Sequence, residues 1–236
     1  GFAAATYLRG IEVVGLPTTL LAQVDSSIGG KTAVNLGGVK NMVGSFYQPS
    51  LVLIDPDTLQ TLPHRQWANG MVEALKAGLI ADPELFLRME QFCGKENMEE
   101  IIYRALQVKK DVVEADETEQ GLRKILNFGH TLGHAVESEY HLSGLLHGEA
   151  VAVGMIPMIG DPALAQRVKA VLQKWDVNPN MPYSIEAVME KMKKDKKAQG
   201  QKITIVLVPE LGKTELRTIP VEALRQYLKE KVLTKK

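Results

Sequence analysis

One cysteine, Cys93, stands in a chain of 236 residues. A lone thiol excludes an intrachain disulfide framework and fits a reducing compartment, so a cytoplasmic location is expected. Excess charge of either sign is missing too. Lysine plus arginine number 28 and aspartate plus glutamate 28, which removes the general electrostatic reason for binding nucleic acid or a membrane surface. Neither is expected as a partner, although a locally basic pocket remains compatible with the balance. No apolar run is long enough to cross a bilayer. The first ten residues carry no basic leader ahead of an apolar core and so do not read as a signal peptide. There is no initiator methionine, and the chain starts in the middle of a pattern, so it is expected to be part of a longer protein. Three nucleotide or protease signatures are also absent: a complete Gly-x-Gly-x-x-Gly, a P-loop, and His-Glu-x-x-His.

What is present is apolar content of 45%, enough for one large domain or two smaller ones with real cores. Residues 1–10 read as the end of a helix stopped by Gly10. Ile11–Leu16 and Leu51–Ile54 are short β-branched apolar runs that fit buried strands. Between them, Thr18–Gln23 fits a helix or a turn, and the pairs Gly29–Gly30 and Gly37–Gly38 punctuate a loop or hairpin through Lys31–Val34. The pattern changes near residue 56. Helical spacing then covers Pro63–Gly78, Pro83–Phe92, Met98–Asp116, Gly121–Glu139, Gly148–Met158, Pro162–Lys174, Ile185–Lys194 and Val221–Lys231. Ile203–Val208 is expected as a strand, with Glu215–Ile219 as its partner. Gly160-Asp161-Pro162 interrupts an apolar helix abruptly, either as a tight turn or where residues are omitted.

The densest chemistry lies in Asn127–His134 and His147–Glu149, with Glu73 and Lys76 upstream. His130 and His134 are four apart and share a face if helical. His147 follows a loop that can return it toward that face. Two imidazoles and the Glu73 carboxylate would leave a zinc ion with open positions for substrate oxygens or water. Glu149 can orient a ligand or handle a proton. Each histidine alone has an ordinary alternative: His134 as a hydrogen-bonded helix residue, His147 as a helix cap. Glu119, Arg123, Asn127 and His130 recur at helical spacing and would form a polar ladder leading to the metal. A solvated face with ordinary ion pairs is the alternative for Glu119 and Arg123. Lys76 can bind a phosphate or carboxylate, or simply pair with Glu73. Lys109 and Lys110 are either surface residues or pocket cations. The run Lys193–Lys197 is a solvated face or a closing element over an anion. At the front, Asp25–Thr32 is rich in small residues around Lys31, which permits close backbone approach to a phosphate. Asn35, Lys40 and Asn41 extend that polar surface, and a simple hairpin is the bland alternative.

Taken together, Val24–Lys31, Lys40–Pro49, Glu73–Lys76, Leu126–His134 and His147–Gly154, with Asp195–Lys197 and the hairpin after it, closely resemble the 3-dehydroquinate synthase family of sugar phosphate cyclases. The resemblance covers nearly the whole chain. It implies an α/β plus α fold: residues 1–56 as the C-terminal part of a Rossmann-like NAD-binding domain, and residues 57–236 as a mainly helical zinc- and substrate-binding domain with a small β-hairpin. It implies Glu73, His130 and His147 as zinc ligands, with cobalt as an alternative ion. Asp25, Lys31, Asn41, Lys76, Lys109, Arg123, Asn127 and His134 match substrate-pocket positions, several of them catalytic, and Glu119 matches the pocket's charged network. Thr18, Thr19 and Lys40 resemble cofactor-side residues, alongside Asp25 and Lys31. Arg9 resembles an arginine that reaches the phosphate site of the partner in a homodimer, and Lys196 or Lys197 a late phosphate-region lysine. The implied substrate is a small phosphorylated sugar acid, 3-deoxy-D-arabino-heptulosonate 7-phosphate. In the implied reaction NAD transiently oxidises its C5 hydroxyl, phosphate is eliminated, the ketone is reduced again, and ring opening with aldol closure gives 3-dehydroquinate. Family members carry a nucleotide-binding region ahead of the position of Gly1. Lys109, Arg123 and Asn127 favour this branch over an aminocyclitol-forming relative; a metal- and NAD-dependent alcohol dehydrogenase and a noncatalytic scaffold are the more distant alternatives.

Overall fold

A computed structural model describes residues 1–37, 39–92, 97–140, 144–196 and 202–233; of residues 39, 40, 193–196, 232 and 233 it describes the backbone alone. In chain order the elements are α1 (Phe2–Thr6), β1 (Val14–Gly15), β2 (Lys31–Leu36), β3 (Val39–Phe46), β4 (Leu51–Val52), α2 (His64–Ile80), α3 (Pro83–Gln91), α4 (Met98–Ala115), α5 (His130–Glu139), α6 (His147–Met155), α7 (Pro162–Lys174), α8 (Ile185–Lys196), β5 (Lys202–Glu210), β6 (Lys213–Pro220) and α9 (Val221–Leu233). Contacts divide them into two compact units. The first holds Gly1–Ala74 with Cys93–Arg123, and the second Leu75–Phe92 with Lys124–Lys236, the division falling inside α2.

In the first unit β1 pairs in parallel with β4, Val14 opposite Leu51 and Gly15 opposite Val52. The apolar runs at 11–16 and 51–54 are therefore strands over only two residues each, since strand length is set by the pairing partner as well as by side-chain character. β2 and β3 form an antiparallel hairpin, Lys31 opposite Phe46, that extends well beyond the expected Lys31–Val34. The segment 18–23 resolves into a wide π-type turn over Ala22–Ser26, closed by Ser27 N–H donating to Ala22 O at 3.1 Å. Buried Gln23 locks it: its Nε2 donates to Pro17 O (3.1 Å), Asp55 O (2.9 Å) and Thr58 Oγ1 (3.0 Å). Those bonds satisfy the NH2 group of an amide that burial would otherwise penalise, while its buried Oε1 has no hydrogen-bond partner among the described residues.

The second unit is mainly helical. α7 starts where its sequence says it should: Asp161 Oδ1 accepts from Ala163 N at 2.8 Å and Pro162 takes the first helical position. Gly160 makes a tight turn just before it, with its N–H donating to Val208 O at 2.8 Å beside the Ile159–Val208 bridge. β5 and β6 form an antiparallel hairpin, Ile203 opposite Ile219. α9 follows it, and Tyr227 Oη donates to Pro157 O at 2.6 Å.

One helix departs from expectation. Gly121–Glu139 is not continuous: a 3-10 turn spans Leu122–Asn127, and α5 begins only at His130. Gly129 lies between them at φ 78, a left-handed conformation that breaks the α-helical path. Glu119 is also left-handed, at φ 63, and lies outside any helix. The expected ladder of Glu119, Arg123, Asn127 and His130 along one helix face therefore does not exist.

Candidate metal centre and substrate pocket

α5 and α6 bring three imidazoles together. Phe128, Leu132 and Val136 fill the core from the α5 side, and Ala150, Val151 and Met155 from α6. The two helices meet through glycines. A Cβ on Gly133 would stand 2.9 Å from Ala150 O, and one on Gly129 would stand 2.5 Å from Met155 Cγ and 2.9 Å from Val151 O. Absence of side chains there lets α6 approach the first turns of α5, where His130 and His134 project. His147 opens α6, and Leu146 N–H donates to Glu149 Oε2 at 2.7 Å. Glu149 is thus seen at the helix start, satisfying a backbone donor there.

Ring centroids are 5.3 Å apart for His130 and His134, 5.1 Å for His130 and His147, and 5.6 Å for His134 and His147. One nitrogen from each lies within 4.8 Å of the others. His134 is exposed and the other two half-buried. His130 Nδ1 is 3.1 Å from Phe128 O, so donation to that carbonyl leaves Nε2 free to accept a proton or a metal ion. This nitrogen set suits zinc or cobalt. Glu73 and Lys76 are buried on α2. Glu73 falls in the first unit, and Lys76, Asn127 and the three histidines in the second. Asn127 ends the 3-10 turn, half-buried.

The first unit gathers the other charged residues. Asp25, in the π-type turn, accepts from Lys109 Nζ through Oδ1 at 2.7 Å, and its backbone O accepts from the same ammonium. Lys109 is buried on α4. Lys31, the first residue of β2, pairs with Glu119. Arg123 is 2% exposed. Its Nη2 donates to Gly29 O at 2.6 Å, its Nη1 to Glu117 O, and the guanidinium stands 5.7 Å from the Phe46 ring centroid. The glycine at 29 is required by both its φ of +96 and the arginine: a Cβ there would be 2.6 Å from Arg123 Nη2. Asn41 sits at φ 54 with its N–H donating to Asn35 Oδ1 at 2.9 Å. Thr18 and Thr19 are exposed ahead of the π-type turn, where Thr19 Oγ1 accepts from Ala22 N at 3.3 Å. Arg9 is exposed at φ 67 at the end of a 3-10 turn, Tyr7–Arg9. Lys40 lies in β3 and Lys196 ends α8, both with side chains outside the described residues; Lys197 lies wholly outside them. A cavity of about 500 Å³ in the first unit is lined by Pro56, Leu59, Trp67, Met98, Glu99 and Glu100 among others. None of the expected site residues lines it, and its carboxylates disfavour an anionic sugar.

Two residues went unnoticed in the sequence. One is Glu137 on α5, whose Oε2 stands 3.7 Å from His147 Nδ1. The other is Asp116, which shapes the loop before Arg123. Its carboxylate accepts from the backbone N–H groups of Gln120 (2.9 Å), Gly121 (2.7 Å) and Arg123 (2.9 Å). Those to Arg123 and Gly121 are the largest causes of a pKa held below the ordinary aspartate value. A group with a folded pKa below its unfolded one stabilises the fold above the unfolded value, and that contribution disappears as pH falls through the folded value. Asp116→Asn is therefore expected to lower the urea midpoint at neutral pH, with the gap to the parent closing as pH falls through and below the ordinary aspartate range. A gap of equal size at neutral and at acid pH would contradict this account.

Residues 1–69 match the 3-dehydroquinate synthase N-terminal family pattern, and residues 70–198 match the 3-dehydroquinate synthase C-terminal pattern. The chain belongs to the 3-dehydroquinate synthase family. The 3-dehydroquinate synthase of Streptococcus mutans serotype c is 44% identical over 242 residues, an alignment that covers 97% of this chain and 68% of that protein. The Streptococcus sanguinis enzyme of the same name is 43% identical over 243 residues, again 97% of this chain and 68% of the relative. Among solved structures, 2-epi-5-epi-valiolone synthase from Streptomyces hygroscopicus subsp. jinggangensis, with NAD+ and Zn2+ bound, matches with a TM-score of 0.87 at 28% identity, over 99% of this chain and 69% of that one. A 2-deoxy-scyllo-inosose synthase complexed with carbaglucose-6-phosphate, NAD+ and Co2+ matches with a TM-score of 0.82 at 27% identity, over 97% and 70%. The fold expected from the family, a partial Rossmann-like part followed by a mainly helical one, agrees with these neighbours.

Proposed function

We propose that this chain carries the metal- and substrate-binding machinery of an NAD- and zinc-dependent 3-dehydroquinate synthase, a carbon-oxygen lyase acting on 3-deoxy-D-arabino-heptulosonate 7-phosphate. The convergence of His130, His134 and His147 in a chain of this family is the observation that carries the reading. In it, His130 and His147 with Glu73 hold the metal, and His134 faces substrate. The change of character near residue 56 separates the cofactor side from the metal and substrate side. When bound, NAD supplies a reversible hydride acceptor and zinc, or cobalt in its place, a Lewis acid for substrate oxygens.

The chain's own residues supply charge, orientation and proton handling. Lys76 and Lys109 are buried, and an ammonium at such depth attracts phosphate or carboxylate strongly because water screens it little. Asp25 fixes Lys109 and orients a substrate hydroxyl, as does Asn127. Arg123 contributes a permanent charge whose direction Gly29 and Glu117 fix. Lys31 and Glu119 form the pocket's charged network, and Asn41 adds an amide. Elimination breaks the C–O bond to phosphate as the adjacent carbon loses its proton, and that proton passes either to the departing phosphate or to His134. On the cofactor side, the exposed hydroxyls of Thr18 and Thr19 fit polar contacts with a nucleotide, with Lys40 beside them in the sequence pattern. Exposed Arg9 is assigned to the phosphate site of the partner in a homodimer, and Lys196 or Lys197 to the phosphate region. A cytoplasmic setting accords with the single cysteine and with the lack, among the described residues, of a helix long and apolar enough to cross a membrane.

The test is a coupled turnover assay on the full-length protein with the heptulosonate phosphate, NAD and zinc, following phosphate and 3-dehydroquinate together. Both products should appear, and both should be lost on chelation. Absence of turnover by protein loaded with zinc and NAD would overturn the reading and direct attention to another cyclase substrate.

A further inference from the structure

We propose that Glu137 is the residue that positions His147, presenting one ring nitrogen to the metal by holding the other. The proposal rests on the metal reading above and adds to it a group outside the ligand set. Glu137 lies on α5, seven residues after His130 and three after His134. At about 100° per residue these three side chains fall within an arc of roughly 60° on one helix face. Its Oε2 stands 3.7 Å from His147 Nδ1, and the two side chains are 9% and 23% exposed.

Two observations favour a positioning role. First, the approach is to Nδ1, which leaves Nε2 of the same ring to meet an ion. Second, His130 is arranged in the same way by a different group, since its Nδ1 is 3.1 Å from the Phe128 carbonyl oxygen. Each ring thus has an oxygen near Nδ1, one from the backbone and one from a carboxylate. An imidazole that donates from one nitrogen is fixed in tautomer and rotation, and is a better donor at the other. The 3.7 Å separation exceeds a hydrogen bond. A cation held at Nε2 would make the Nδ1–H a stronger donor toward the Glu137 carboxylate.

The experiment uses full-length enzyme stripped of metal and titrated with Zn2+ against a chromophoric chelator, and separately with Co2+ while visible absorption is recorded. Parent protein that fails to bind one ion at the histidines would refute the metal reading itself, independently of Glu137. Given parent binding, Glu137→Gln is expected to weaken Zn2+ by roughly 10- to 100-fold and to alter the Co2+ spectrum, with the melting temperature of the metal-free form retained. A carboxylate that merely packs would lower that melting temperature and leave the affinity of the folded fraction alone. In a His147→Ala background Glu137→Gln should cost less than about two-fold more, because its effect passes through the missing ring. Should the glutamine variant fail to fold, Glu137→Asp, which keeps the charge on a shorter arm, takes its place, with a smaller loss expected. Parent-like Zn2+ affinity and Co2+ spectrum in the folded variant, or full additivity with His147→Ala, would overturn the proposal.

Discussion

Glu73→Gln in the full-length enzyme is expected to weaken zinc binding on the order of 1,000-fold, more than the roughly 10- to 100-fold typical of groups behind the ligands, and turnover should fall with it. Glu73 sits on α2 at 2% exposure. An ionised carboxylate at that depth is costly unless a cation or strong donors compensate it. Glutamine keeps the shape and removes the charge. If a metal is the compensating cation, the variant loses the ion, yet its metal-free form melts no lower than the parent's, because a desolvated charge has been removed. If the carboxylate serves only to hold α2 through protein contacts, the result reverses: metal-free stability drops and zinc affinity persists. Equilibrium dialysis with zinc and thermal melts of both forms separate these outcomes. Normal zinc stoichiometry together with normal turnover would remove Glu73 from the ligand set.

Much of the helical part was legible because each helix there carries its own local signals. α7 has an aspartate cap, a proline at its first position and an amphipathic stripe, and its observed bounds, Pro162–Lys174, are those expected from them. α4 has a similar stripe, with Ile101, Ala105, Val108 and Val112 turned inward. The segment 121–139 failed for a nonlocal reason. Its spacing is helical throughout, but Gly129 takes a left-handed conformation in order to lie against Val151 and Met155, partners far along the chain. β1 and β4 were shorter than expected because pairing, not apolar character, sets their ends. At the site, His130 and His147 were visible as residue types, while their approach depends on how α5 meets α6. Glu137 could have been found: its spacing from His130 and His134 places it on their face. What the spacing could not show is that His147 would return to meet it. The pairing of Arg123 with Gly29 was equally out of reach, since it joins residues on distant elements.

That packing of α5 on α6 makes Gly154 the position where the smallest change should have a large effect. Adding a Cβ at Gly154 would drive it into the carbonyl oxygen of Gly129 and place it 2.8 Å from Gly133 N. Both are backbone atoms, so no side chain can rotate away. Gly154→Ala therefore requires the two helices to separate, and is expected to destabilise the enzyme by roughly 2–4 kcal/mol, with Gly154→Val costing more. The separation also moves His147, at the start of α6, away from His130 and His134, so zinc affinity should fall in the molecules that remain folded. Gly37→Ala is the control. Gly37 has φ +59 but nothing within 4 Å of its Cβ position, so only the backbone cost of about 1 kcal/mol applies and the histidines stay in place. Urea unfolding of both variants, with zinc titration in the native baseline, compares the two glycines directly. Parent-like stability and zinc affinity in Gly154→Ala would mean that the close approach of α5 and α6 does not hold the histidines together.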